Sequence, residues 1–430
     1  MSNWQQTALG ELQTHVRRAV AVPPQGSRPS MVGWQQLTLG DLLTRVRRKV
    51  AVEDGVTYPA VSVQMYGRGL GEKEPFIGGI SKYTTLNSVR ENDVVLRTIT
   101  AFEAPAGVAR AEHDGTHVSG VFITYEVDRR ALPEFLRLYF QTPVFWDEMQ
   151  NRASGTVLRR KTISDASFSS IPITLPPLPV QQQIVGIISA VDDQIAAVDS
   201  EASTARRLLN MVLAEHFTAV EGERHRIVDL CSHVVGGVWG KPEGEGEVDR
   251  LALGPRIYTP NTSDFVTDGS PVRSFTTKQA ATRTVQEQDI ILERSGGSPE
   301  QPVGRVAIAG PGLEPCVPTD FQRLMRVDPE KALPRYVFWR LRHDWASGLT
   351  HNYSRRTTGI TNLSVKEYIA REIPVPSSEE QAGLVERAEA VDALIVTLRA
   401  EAASLRRVRA SLLSGLLDRT IDIESAELGV

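Results

Sequence analysis

Apolar residues recur at alternating spacings of three and four over two long stretches of the chain. The first runs through Ile184, Ile188, Val191, Ile195, Val198, Ala202, Ala205, Leu209 and Val212, the second through Leu384, Ala388, Val391, Ile395, Leu398, Ala402, Leu405 and Leu412. Such a grid is the seam of a coiled coil. It predicts two amphipathic helices of about 40 residues, each spanning roughly 60 Å. One seam position, Arg409, is charged and would cost stability if fully buried, so it is expected at a frayed or snorkelling end. Ser378 followed three residues later by Gln381 reads as a capping box, and Pro176, Pro177 and Pro179 hold off helix upstream of the first stretch.

The two helices are copies of each other. A shift of 200 positions lays Ile173, Pro176, Gln181, Val185, Ala190, Val191, Asp192, Ile195, Glu201, Ala202, Arg206, Arg207 and Leu213 on identical residues. The chain therefore consists of two modules, each a variable body followed by a long helix. The expected boundaries are 31–178 for the first body, 179–220 for its helix, 221–376 for the second body, 377–420 for its helix and 421–430 for a tail. A further repeat stands in front, where residues 4–22 recur as 34–52 across a Pro- and Gly-containing linker, so 1–30 reads as a duplicated segment outside the module.

Shorter patterns place strands in the bodies. Asp93–Arg97 and Asp289–Arg294 are matched apolar runs between polar turns, which reads as buried strand. Phe122–Asp128 and Phe321–Asp328 alternate like strands, and each leads through Leu-Pro into an aromatic helical stretch, 135–145 and 336–345, whose rings are expected in the core. The fold class is mixed α/β, with two bodies joined by two long antiparallel coiled-coil helices in a pseudo-two-fold arrangement.

Composition narrows the setting. The 430 residues are 41% apolar with a formal charge of -4, ordinary for a folded globular protein, and arginines bunch in short runs that can form local basic patches. Cys231 and Cys316 stand far apart in no CxxC pattern, which supports neither a disulfide framework nor a cysteine zinc site. No apolar run reaches the roughly 18 residues of a membrane span and no leader is evident, so a cytoplasmic protein without membrane contact is expected.

The order body, helix, body, helix resembles the DNA-specificity subunit of Type I restriction-modification systems. Ile171-Pro172-Ile173 through Pro176-Pro177-Leu178-Pro179, then Gln181 and Ile184-Val185, looks like that family's junction between recognition domain and helix, and Ile373-Pro374-Val375-Pro376, Glu380-Gln381 and Leu384-Val385 repeat it. The turn Arg294-Ser295-Gly296-Gly297-Ser298 is also typical. The first body departs, with Arg97-Thr98-Ile99-Thr100 in place of the glycine-rich turn and Val180 in place of the acidic Glu380.

The resemblance implies a non-catalytic subunit that reads a bipartite double-stranded DNA target, one half-site per body. Its helices would set the gap and dock two methyltransferase subunits. S-adenosylmethionine would be carried by those partners, with no cofactor on this chain, and a restriction-translocase subunit would join for cleavage. Two similar modules joined by antiparallel helices also suit the local dyad of duplex DNA, placing readers about one helical turn apart. A coiled-coil protein-binding scaffold without DNA recognition, or an enzyme working within one body, are the alternatives that the heptads alone leave open.

Candidate contacts lie on basic loops that precede each junction: Thr156, Arg159, Arg160 and Lys161 in the first body, and Ser354, Arg355, Arg356 and Thr357 in the second. Arg and Lys there can neutralise phosphates or fork onto guanine edges, while hydroxyls fix register. Arg97 and Thr98, and the turn of Arg294, Ser295 and Gly297, form a second group, and the run Arg45, Arg47, Arg48, Lys49 offers further cations. No phosphate-binding Gly-x-x-x-x-Gly-Lys-Ser/Thr loop is present, Gly67, Gly69 and Gly71 lack dinucleotide spacing, and His113 and His117 flank a loop-like Asp114-Gly115. No catalytic residue and no metal ligand are assigned.

Overall fold

The computed structural model describes residues 33–156, 161–258, 265–297, 302–357, 360–421 and 423. The duplicated segment 1–30, Arg159 and Arg160 lie outside the described residues. Among those described, no helix is long and apolar enough to cross a membrane.

Unbroken burial, rather than alternation, marks strands covered on both faces. Val94–Leu96, within the strand Val94–Arg97, and the strand Ile290–Glu293 are of this kind. Each is an interior strand of a four-stranded antiparallel sheet. In the first body the order is Leu43–Val46, Phe122–Val127, Val94–Arg97, Ala106–Val108, and in the second Cys231–Gly236, Gln322–Val327, Ile290–Glu293, Val306–Ile308. Around these matched sheets the bodies diverge. The first adds a five-stranded sheet containing the hairpin Thr57–Val63 and Leu70–Ile77, and the second a three-stranded sheet in which Val248–Leu253 runs parallel to Cys316–Pro318. Burial pushes the thiols of Cys231 and Cys316 up to about 12, so neither is a reactive nucleophile at neutral pH.

The aromatic stretches are core, as expected: Phe135, Phe140, Phe145, Tyr336, Phe338 and Trp339 are fully buried. In the first body that stretch is two helices, Pro133–Tyr139 and Pro143–Arg152, where one was expected. Pro143 cannot continue a helix. The Thr142 hydroxyl restarts it by accepting from the Phe145 amide at 3.3 Å.

Each body closes by pairing its first strand with its last, Gln35–Thr38 with Pro172–Leu175 and Glu223–Arg226 with Glu372–Val375. The long helices follow at once, Leu178–Ala219 and Ser378–Leu417. One buried glutamine ties each helix to its body. The Gln181 carbonyl oxygen accepts from the Leu132 amide at 2.7 Å, and its amide donates to Arg130 O and Pro176 O at 2.8 Å each. Gln381 does the same for the Leu333 amide and Pro376 O, at 2.8 and 2.9 Å. Either Gln→Ala change strands a buried N–H and should lower stability by about 1–3 kcal/mol. An unmoved urea midpoint in both variants would remove the glutamines from this role.

Gln381 is therefore not half of a capping box. The box is Ser377 with Glu380: the Ser377 hydroxyl and amide both donate to the Glu380 carboxylate at 2.8 and 3.1 Å, and the Glu380 amide donates back to the hydroxyl at 3.3 Å.

The chain divides into two compact units, and both cuts fall inside the long helices. One unit joins the residues up to Ile195 to those from Ser404 onward, and the other is Ala196–Ala403. In the first unit Val180, Ile184, Ile188, Val191 and Ile195 share a core with Leu412, Leu413 and Leu416. In the second, Ala205, Leu209, Leu213 and Phe217 share one with Leu384, Ala388 and Ile395. Most of the expected seam is buried, including Val198, Ala202, Leu398 and Ala402. Val212, Val391 and Leu405 are only partly buried. Leu213 and Phe217 take over from Val212, because a straight helix with 3.6 residues per turn drifts off a 3.5-residue repeat.

Arg409 is neither frayed nor snorkelling. It forks onto Asp192 within the first unit, Nη2 to Oδ2 at 2.9 Å. This pair, together with Leu416 lying by Ile184, sets the two helix segments antiparallel.

Candidate nucleic-acid interface

A strand leaving its sheet must find new partners for its backbone groups. Where Val94–Arg97 ends, the Thr98 amide and hydroxyl both donate to Val121 O, at 3.0 and 2.9 Å. Thr98 O accepts from the Ile163 amide at 2.9 Å, and Ile99 bridges to Thr162, which also pairs in both directions with Ser154. Lys161 O takes the Ala101 amide at 3.0 Å. Three separate segments, around Thr98, Thr156 and Lys161, are thereby joined.

The second body builds the same platform from the same places. The amides of Arg294 and Ser295 donate to Phe321 O at 2.7 and 3.2 Å, and Arg294 O accepts from the Leu363 amide at 2.7 Å. Ser295–Gly297, Ile360–Leu363 and Ser354–Thr357 form a three-stranded antiparallel sheet, with Ser295 opposite Asn362 and Arg355 opposite Asn362 on its other side. Thr162 and Asn362 are 200 positions apart, as are Val121 and Phe321 and Ile163 and Leu363. Thr100 holds the place of Gly296 and adopts the same left-handed sign, φ 56° against 123°. A β-branched residue there carries strain of about 1–2 kcal/mol. The first body thus makes the turn without the glycine.

The candidate side chains divide by what they touch. Arg294 is exposed, with one weak bond to Asp320 O at 3.4 Å. Arg355 is exposed and meets Glu367 at 2.7 Å, but with side chains 71% and 57% exposed that pair is worth little and yields readily. Thr156 is exposed and Lys161 half-buried. Ser295 and Ser354 turn inward, to Asn362 Oδ1 and to Thr350 O at 2.8 Å. Gly297, Arg356 and Thr357 have their backbone on the same small sheet.

Arg97 is held from within, bonded to Glu103 at 2.7 Å with both side chains about one-fifth exposed. The equivalent place in the second body carries the opposite polarity. Glu293 receives Arg305 through two bonds, 2.9 and 2.6 Å, and is fully buried, while the guanidinium lies 4.8 Å from the Tyr258 ring centre. Each pair braces the strand end from which the platform starts. In the basic run, Arg45 is bound to Asp165 at 2.9 Å and Arg48 to Asp93 and Glu126 at 2.5 and 2.7 Å.

Sequence reasoning passed over Val121 and Phe321. Both are apolar yet 38% and 36% exposed, and they stand on the turns whose carbonyls anchor the platforms. The shift of 200 pairs them and could have drawn attention to them. The alternating run Phe321–Asp328 begins one residue before the strand, which starts at Gln322.

Residues 31–201 match the family model described as Type I restriction modification DNA specificity domain. No curated protein sequence matches the chain. Among solved structures, the fold is similar to a chain from a type I R-M system studied for complex assembly and conformational transition, at 17% identity and a TM-score of 0.58 over 92% of this chain and 99% of that one. It is also similar to the Type-I restriction-modification system S subunit from M. genitalium, at 13% identity and a TM-score of 0.50 over 91% and 98%. The likeness to these chains is thus one of fold over about nine-tenths of this chain, and residues 31–201 carry the match to the Type I restriction modification DNA specificity domain.

Proposed function

We propose that the chain is the non-catalytic, DNA-reading subunit of a cytoplasmic Type I restriction-modification assembly, in which each body reads one half of a bipartite duplex target. The observation that carries this reading is the recurrence of one three-segment platform in bodies that otherwise differ, with exposed Arg294 and Arg355 on one and exposed Thr156 and half-buried Lys161 on the other. Backbone scaffolding of this kind fixes register, while the variable side chains on it select bases.

The long helices set the gap between half-sites and seat two methyltransferase subunits. Leu208 and Val408, 200 positions apart and 48% and 40% exposed, offer equivalent apolar seats for two copies of one partner. S-adenosylmethionine belongs to those partners, this chain needs no cofactor, and a restriction-translocase subunit joins them for cleavage.

Genome-wide mapping of methylated adenines after co-expression with the methyltransferase is the test, and a split target is expected. Methylation indifferent to this chain would favour a protein-binding scaffold, and turnover by the isolated chain an enzyme. Changing Arg355 and Arg356 together to alanine should lower the slope of log affinity against log salt by nearly 2, at about 0.9 per phosphate contact. An unchanged slope and affinity would take that strand out of the interface.

A further inference from the structure

Of the four cations in the run at residues 45–49, two are consumed by internal ion pairs. The other two, Arg47 and Lys49, have no acidic partner among the described residues. They line a cleft of about 190 Å³ between the two sheets of the first body. Thr85 and Asn87 of the neighbouring strand supply further donors, Gly120 and Phe122 form part of the wall, and no carboxylate lines it.

The cleft adjoins the platform. Gly120 and Phe122 flank Val121, whose carbonyl holds Thr98, and Phe122 is also the register partner of Arg97. The central strand Phe122–Val127 thus begins with the platform on one side and the cleft on the other. Two free cations, a hydroxyl and an amide around a site without acids suit an anion the size of a phosphate.

We propose that this cleft grips a phosphodiester of the DNA backbone, as a second contact of the first body beside its platform. The inference rests on the DNA-reading function proposed above. It also makes the two bodies unequal. Val46 pairs with Thr124, and Val235 pairs with Leu324, the residue 200 positions further on, so Gly236 and Gly237 follow where Arg47 and Arg48 follow in the first body. A side chain on Gly237 would meet Thr319 O at 1.9 Å, and Arg323 already lies over Gly236. Among the described residues, the second body thus carries glycines where the first carries Arg47 and Arg48, and it holds its half-site through the platform.

The test measures affinity of the full chain, assembled with its methyltransferase, for a duplex of arbitrary sequence across a range of salt. R47A/K49A should lower the magnitude of the salt slope by about 1.8, two contacts' worth. The charge-keeping exchange R47K/K49R should restore most of it, and thermal unfolding should match the parent in both. The mapped target sequence should stay the same, because phosphate contacts position without specifying. A parental slope in R47A/K49A, with weakened binding in R355A/R356A, would overturn the cleft and leave the DNA-reading function standing. A parent assembly without affinity for the duplex would overturn both.

Discussion

Arg305→Ala should cost about 3–5 kcal/mol, the largest loss expected from any single side chain described above, because it leaves the carboxylate of Glu293 buried and uncompensated. Glu293 is fully buried, and its two bonds from the guanidinium at 2.9 and 2.6 Å, with one at 3.4 Å from the Arg305 amide, are its described partners. The loss should fall on the second unit and its half of the DNA target. Arg97→Ala removes the corresponding brace in the first body, but from partners that water already reaches, and should cost only about 1 kcal/mol. Replacing Glu293 and Arg305 together by methionines should recover much of the loss, since removing both charges removes the desolvation problem. Urea unfolding of the parent and the three variants checks the order. Equal midpoints for Arg305→Ala and Arg97→Ala would mean that the buried pair does not hold the second platform.

Lengthening both helices together should widen the recognised gap without changing either half-site. The insertions belong where the compact units divide, after Ile195 in the first helix and after Ala403 in the second. Four residues in each add about 6 Å, close to one turn, and keep the apolar face nearly in phase. The gap should grow by one or two base pairs, given about 3.4 Å of rise per base pair. An insertion in one helix alone would displace the seam residues between the anchors Asp192–Arg409 and Arg206–Asp392, and should destabilise the subunit instead. Methylation mapping of the paired variant reads the gap directly. A variant that assembles normally but keeps the parental gap would end the idea that the helices measure it.

The helices, their repetition and the body-to-helix junctions were legible because they rest on local spacing. The seam residues sit three and four apart, and Gln181 and Gln381 lie at fixed distances from their prolines. What escaped the sequence depends on partners far along the chain. Arg409 reads as a defect in its own heptad and is satisfied only by Asp192, 217 positions away. Arg97 reads as a free cation until Glu103 is brought to it by the left-handed turns at Thr100 and Ala104. Ser377 and Ser378 are equivalent caps on paper, and the choice falls to Ser377 because Gln381 is turned into the body. Among the candidate contacts, the loops themselves were visible from their basic composition. Their joining was not, because Thr162 and Asn362 act through backbone pairing that leaves no mark on residue type.

The division of the chain has a consequence for its synthesis. The core around Ile184, Ile188 and Val191 is completed by Leu412, Leu413 and Leu416. A ribosome that has just made the first helix, which ends at Ala219, must add nearly 200 further residues before those leucines exist, which at about 5–20 residues per second takes roughly 10–40 s. Throughout that time the nascent first helix presents its apolar stripe without its final cover. Chaperone engagement during translation, or an early encounter with the partner subunit, would therefore bear on the yield of the first half of the molecule more than on the second.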